Sequence, residues 1–205
     1  MALAIQKDMD GYLAAIQASP INKAARASTS YTIWPDQKEA ARVPYPCVIL
    51  DPSADGGMPH TRAPGIICLP AHYPQEKLAE TIRHELVHID QRKNSEKWRK
   101  KLLEEGWIVL DTEEQEGIPS EWRERCRLNP DTLSVRFVAW GGRYVPLPLF
   151  ERTDYPKLRE IAVRWWDMEE EKLLSTPPST YRRRYGTNLT PAELEHPYEL
   201  FAYRQ

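Results

Sequence analysis

The chain has 205 residues, 41% of them hydrophobic and 28% charged, which is enough apolar material for one sizeable core and too short for two full enzyme domains. Lys and Arg total 28 against 30 Asp and Glu, so the net charge of -2 gives no general pull toward nucleic acid or an anionic membrane, and neither is expected as a partner. No apolar run reaches the ~20 residues of a membrane span, and Lys7, Asp8 and Asp10 break the first hydrophobic stretch, which argues against a signal peptide and for an intracellular location.

Leu3, Ile5, Met9, Leu13 and Ile16 recur at roughly helical spacing and predict an N-terminal amphipathic helix within residues 1–20, closed by Pro20. Short β-prone runs at 31–34, 47–50 and 65–69, separated by Pro, Gly and Asp clusters, predict a small sheet. Residues 75–92 form the strongest helical pattern, with Leu78, Ile82, Leu86 and Ile89 on one face, and a second helix restarts at Asn94 and runs toward Gly106. Runs at 133–140 and 143–147 flank Gly141-Gly142 and predict a hairpin, since both turn positions require positive φ. A helix is predicted over 156–174 with Leu158, Ile161, Trp165 and Met168 as its core stripe. Thr190-Pro191-Ala192-Glu193 is a capping box with proline at the first helical position, and Pro197 resets the chain before a last helix at 198–204.

This order predicts a single α+β domain: an N-terminal helix (1–20), a small mixed sheet with a central helix (30–106), and a largely helical part containing the hairpin (107–205). Cys47, Cys68 and Cys126 are too few for a disulfide framework and too dispersed for a metal knuckle, so they are expected as buried or free thiols.

One motif carries chemistry. His84-Glu85-Leu86-Val87-His88 matches H-E-x-x-H inside the strongest helix. Positions 84 and 88 lie about 40° apart around a helix axis, so both imidazoles can ligate one ion, while Glu85 lies about 100° from His84, where it reaches a water on the ion rather than the ion itself. Two imidazoles with an open water position are the usual catalytic set of zinc, and Zn2+ is the expected cofactor.

On these residues the chain resembles the zincin metallopeptidases, in which a small sheet precedes a helix bearing this motif. The resemblance implies a zinc-dependent hydrolase of peptide bonds, with Glu85 as general base and a peptide or protein as substrate. It also implies that Gly65, Ile66, Ile67 and Cys68 form an edge strand along which an extended substrate pairs. The metzincin continuation is absent, because Gln91 and Asn94 stand where Gly and His belong.

The third ligand decides the branch. Glu199, in His196-Pro197-Tyr198-Glu199-Leu200-Phe201-Ala202-Tyr203, is similar to the third-ligand helix of the gluzincins, making the chain most like a minimal gluzincin, although 110 residues separate it from His88, more than is usual there. His196 and Asp154 are the other candidate donors, and a carboxylate merely complementing a helix N-terminus is the structural alternative. Tyr203, one turn beyond Glu199, is the candidate oxyanion donor. The rival function is a catalytically silent zincin fold serving as a binding or structural component of a larger assembly. Arg123, Arg125, Arg127 and the run Arg182-Arg183-Arg184 read as mixed solvated surface beside acidic runs rather than a phosphate-binding face.

Overall fold

A computed structural model describes residues 7–205. The predicted N-terminal helix is two short ones, α1 (Tyr12–Ala18) and α2 (Pro20–Ala25). Leu3 and Ile5 lie outside the described residues, and Met9 is exposed in a turn. Pro20 opens α2 as well as closing α1: Ser19 caps it by accepting from the Asn22 N–H, and proline fits the first position, where an N–H has no helical partner.

Buried charges lock this segment down. Arg26 Nε donates to Asp55 Oδ1 at 2.9 Å, and the inaccessible Arg62 guanidinium holds Asp8 and Asp10, each at 2.7 Å. Partial burial alone would raise the Asp10 carboxyl, but Arg62 and the Ala63 and Tyr12 N–H groups outweigh it and hold it at about 2.

β1 (Cys47–Leu50), β2 (His60–Arg62) and β3 (Ile66–Pro70) form a mixed sheet in the order β1-β3-β2, with β1 parallel and β2 antiparallel to β3. Alternation sends Cys47, Ile49, Ile67 and Leu69 toward α3 (Gln75–Lys93), and Val48, Leu50, Ile66 and Cys68 toward Tyr31 and Ile33. The stripe Leu78, Ile82, Leu86 and Ile89 is the sheet-facing side of α3, as predicted. The run at 31–34 supplies only an isolated bridge between Ile33 and Leu50. α4 (Ser95–Glu104) follows, joined to α3 by Asp90, which accepts from Asn94, Lys97 and Trp98 Nε1.

Downstream the architecture departs from the expected helical part. β4 (Trp107–Val109), β5 (Val138–Trp140), β6 (Tyr144–Phe150), β7 (Ile161–Asp167) and β8 (Lys172–Leu174) form a five-stranded antiparallel sheet in chain order, with α5 (Thr112–Glu116) and α6 (Ser120–Arg125) between β4 and β5. The Gly141-Gly142 hairpin is present, both residues at positive φ, although Leu133–Val135 is a 3-10 turn rather than strand. The helix predicted over 156–174 is instead β7 and β8. Ile161, Val163, Trp165 and Trp166 are β-branched or aromatic, and β7 pairs with β6 over seven residues. Trp165 and Trp166 are both buried, in separate clusters on opposite sheet faces, which strand geometry allows for adjacent residues.

Three short helices close the chain: α7 (Ser179–Tyr185), α8 (Pro191–Glu195) with the predicted capping box at Thr190 and Glu193, and α9 (Pro197–Tyr203). Tyr198, Leu200 and Phe201 of α9 pack with Trp98, Trp107, Trp165 and Tyr181, and the helix also meets α3. The last helix is thus wedged between the five-stranded sheet and the motif-bearing helix. Among the described residues no helix is long and apolar enough to cross a membrane, and all three cysteines are free and buried.

The Asp10 carboxyl has a lower pKa folded than unfolded, so its contribution is complete above its ordinary value near 4 and is lost as pH falls toward about 2. Asp10→Asn is expected to lower stability by about 2 kcal/mol at pH 6. In urea unfolding, its difference from the parent protein should shrink steadily below pH 4.

Candidate metal centre

His84 and His88 occupy successive turns of α3 on the side away from the small sheet. Their Nε2 atoms lie 3.0 Å apart. Glu199, in the first turn of α9, brings Oε2 to 3.3 Å from His84 Nε2 and 3.5 Å from His88 Nε2. Among the described residues this is the only cluster of three metal-ligating side chains. Ligand atoms held at zinc distances around a tetrahedral ion stand about 3.3 Å from one another, so the three donors match such an ion without rearrangement.

Tautomers agree with that fit. The Gln91 amide is oriented by Nε2 donating to the Tyr198 carbonyl at 3.1 Å, which leaves Oε1 to accept from His88 Nδ1 at 2.7 Å. In the neutral ring this proton on Nδ1 leaves Nε2 a lone pair directed at the space shared with His84 and Glu199, the state a ligand imidazole needs, whereas without an ion the neighbouring carboxylates favour the imidazolium. Gln91 was not singled out from sequence except as a residue that is not glycine; its spacing three residues beyond His88 on one helix was the available signal.

Burial and charge shift three groups of the site. Burial alone would raise the Glu199 carboxyl, but His88 and His84 hold it well below the usual carboxylate range. Burial opposes the charged form of His88, yet Glu199 and Asp131 draw its imidazole up to about 10. Burial, reinforced by repulsion from Asp131 and Glu199, pushes the Glu85 carboxyl well above its ordinary value. The His88 and Glu199 shifts are two sides of one attraction between imidazole and carboxylate, and the Glu85 shift reflects burial beside other acids.

The cluster opens onto a cleft of about 790 Å³ lined also by Glu85, Asp131, Asn129, Glu195, Tyr73, Lys77 and Tyr203. Glu85 is 3% exposed, and its Oε2 has no hydrogen-bond partner among the described residues. The Tyr203 ring lies 4.4 Å from that of His84, centroid to centroid, at the half-exposed rim. His60 lines the far wall, whereas the exposed His72 packs on Trp34.

The other donors considered for the third position are elsewhere. His196 caps α9, accepting from the Tyr198 N–H at 3.1 Å while Nε2 donates to the Val135 carbonyl, and burial pushes its imidazole down to about 4. Asp154 is exposed and paired with Arg152.

The expected substrate strand is corrected. Gly65, Ile66, Ile67 and Cys68 do not line the cleft; Ile66, Ile67 and Cys68 belong to β3, the middle strand, flanked on both edges and buried, and Gly65 sits against Ile89 of α3. Burial keeps the Cys68 thiol protonated, well above its ordinary pKa. The edges are β1 and β2; on β2, whose His60 lines the cleft, the outward groups of Thr61 are already used: the N–H donates to Asp131 Oδ1 at 2.8 Å, and the carbonyl accepts from Arg92 Nη2 at 3.1 Å. Position before the motif helix suggested an edge, but strand order follows from a pairing that local sequence does not encode.

Comparison of the chain with protein-family models, with curated proteins and with solved structures finds no match. If the triad holds zinc, adding the ion raises apparent stability, by about 2.7 kcal/mol at a hundredfold excess over Kd. Thermal melts should show this increment lost in His88→Ala and Glu199→Ala and kept in Asp154→Ala.

Proposed function

We propose that the chain is a zinc-dependent peptidase of the zincin type, most like a minimal gluzincin, that hydrolyses peptide bonds. One observation carries this: the donor atoms of His84, His88 and Glu199 converge within 3.5 Å of one another at the wall of a cleft that Glu85 also lines. A divalent ion bound there supplies Lewis acidity toward a substrate carbonyl and toward water.

The chain's own groups divide the remaining work. His84, His88 and Glu199 hold the ion, and Gln91 keeps the His88 Nε2 lone pair available. Glu85 takes a proton from the attacking water and delivers it to the leaving amine; among the described residues no donor competes for its buried Oε2, and a positive ion at the triad would offset the burial that raises its carboxyl. Tyr203, packed beside His84, donates its phenol to the oxyanion that develops on the carbonyl. With the outward groups of Thr61 occupied, the substrate is read by the cleft walls rather than by strand pairing at that position.

Incubation of the zinc-loaded protein with a mixed peptide library, followed by mass spectrometry, tests the reading. Glu85→Gln is expected to retain stoichiometric zinc and lose at least about 10²-fold in hydrolysis. Tyr203→Phe should lower kcat by about 10- to 100-fold with zinc affinity unchanged. Zinc bound at one equivalent with no Glu85-dependent cleavage would instead mark a silent, structural metal component.

A further inference from the structure

Two carboxylates, not one, approach the triad from the α8–α9 junction. Glu195 ends α8 and Glu199 lies in the first turn of α9, with His196 extended between the helices. Both acids are buried, at 3% and 6% exposure. A single nitrogen separates them: Asn129 Nδ2 lies 2.8 Å from Glu195 Oε1 and 2.8 Å from Glu199 Oε1. An amide nitrogen carries two hydrogens, so both bonds form at once and hold the two acidic groups within about 5 Å.

The orientation of that amide is set locally. Asn129 Oδ1 accepts from the Asp131 N–H at 2.9 Å, closing a turn through Pro130 and leaving only the NH2 side to face the acids. The other oxygen of Glu195 is held by Arg127 Nη2, whose Nη1 reaches the Leu158 carbonyl at 3.2 Å. Glu199 is therefore gripped on Oε1 from the side opposite the imidazoles, and Oε2 is the oxygen presented to His84 and His88.

Given the metal site proposed above, we infer that Asn129 is the positioning residue for the third ligand: its amide separates Glu195 from Glu199 and fixes which oxygen of Glu199 faces the ion. Without it, two buried carboxylates face each other directly, and Glu199 turns away from Glu195 or rotates its carboxylate plane. Either movement displaces Oε2 from the imidazole pair. Asn129 and Arg127 come from the loop after α6, so this loop, rather than α9 alone, completes the metal geometry.

The test uses zinc itself, titrated against a competing chelator, together with the visible absorption of the cobalt-substituted protein, which reports coordination geometry. Asn129→Ala is expected to weaken zinc binding about 10- to 100-fold and to alter the cobalt spectrum. Asn129→Ser, with one O–H to donate, should fall between Ala and the parent, and serves if the alanine variant folds poorly. Adding Glu195→Gln to Asn129→Ala removes the repulsion and should recover most of the loss, giving a double-mutant coupling that a general loss of stability would not produce. Parent affinity and an unchanged cobalt spectrum in the Asn129 variants would overturn the inference while leaving the peptidase reading intact. A parent protein that binds no zinc would overturn the reading on which it rests.

Discussion

The crossing of α9 over α3 places a buried carboxylate against two imidazole nitrogens at the wall of the cleft. Glu85, Asp131, Glu195 and Glu199 are all buried there; Arg92 lies 3.6 Å from Asp131 and Arg127 pairs with Glu195, which leaves Glu85 and Glu199 without a guanidinium partner among the described residues. Buried charge of one sign is tolerated only where positive charge or aligned donors compensate it. The arrangement answers with amide donors at the back of Glu199 and with a space between His84 and His88 suited to a cation.

Two independent platforms hold the halves of this crossing. The three-stranded sheet grips α3 through Leu78, Ile82, Leu86 and Ile89, so that the opposite side of the helix bears the buried His88 and, at the cleft wall, His84. The five-stranded sheet grips α9 through an aromatic cluster built on Trp98, Trp107, Trp165 and Tyr181. Interior packing of this density leaves little room to slide one helix along the other. The distances within the triad therefore depend on side chains far from it, Trp165 in a strand and Tyr181 in a short helix among them.

The loop between α6 and β5 joins these platforms. Asn22 reaches the Cys126 carbonyl from α2, Asp131 ties the loop to β2 at Thr61, and Asn129 ties it to α8 and α9. One short stretch thus touches the N-terminal helices, the small sheet and the C-terminal helix that carries Glu199. The same contact closes the outward groups of β2, so the edge beside the cleft is occupied by the protein's own side chains.

Local regularities in the chain specified α3, its apolar face, the His84–Glu85–His88 spacing, the Gly141-Gly142 turn and the cap at Thr190, because each depends on neighbours within a few residues and on a fixed helical or turn geometry. The pattern at 156–174 misled for the same reason: Leu158, Ile161, Trp165 and Met168 satisfy a helical period, yet pairing with β6 and burial of adjacent tryptophans on two faces outweighed it. Ile66 to Cys68 were read correctly as strand and wrongly as edge, since strand order is a choice among distant partners, and Gly65 lies in the turn before them. Glu199 was identifiable as a candidate, but only packing chose it over His196 and Asp154, and only packing brought Gln91, Asn129 and Asp131 to the site. Short-range sterics and hydrogen bonding write elements and motifs into consecutive residues; the company those motifs keep is settled by which buried surfaces fit together across the whole chain.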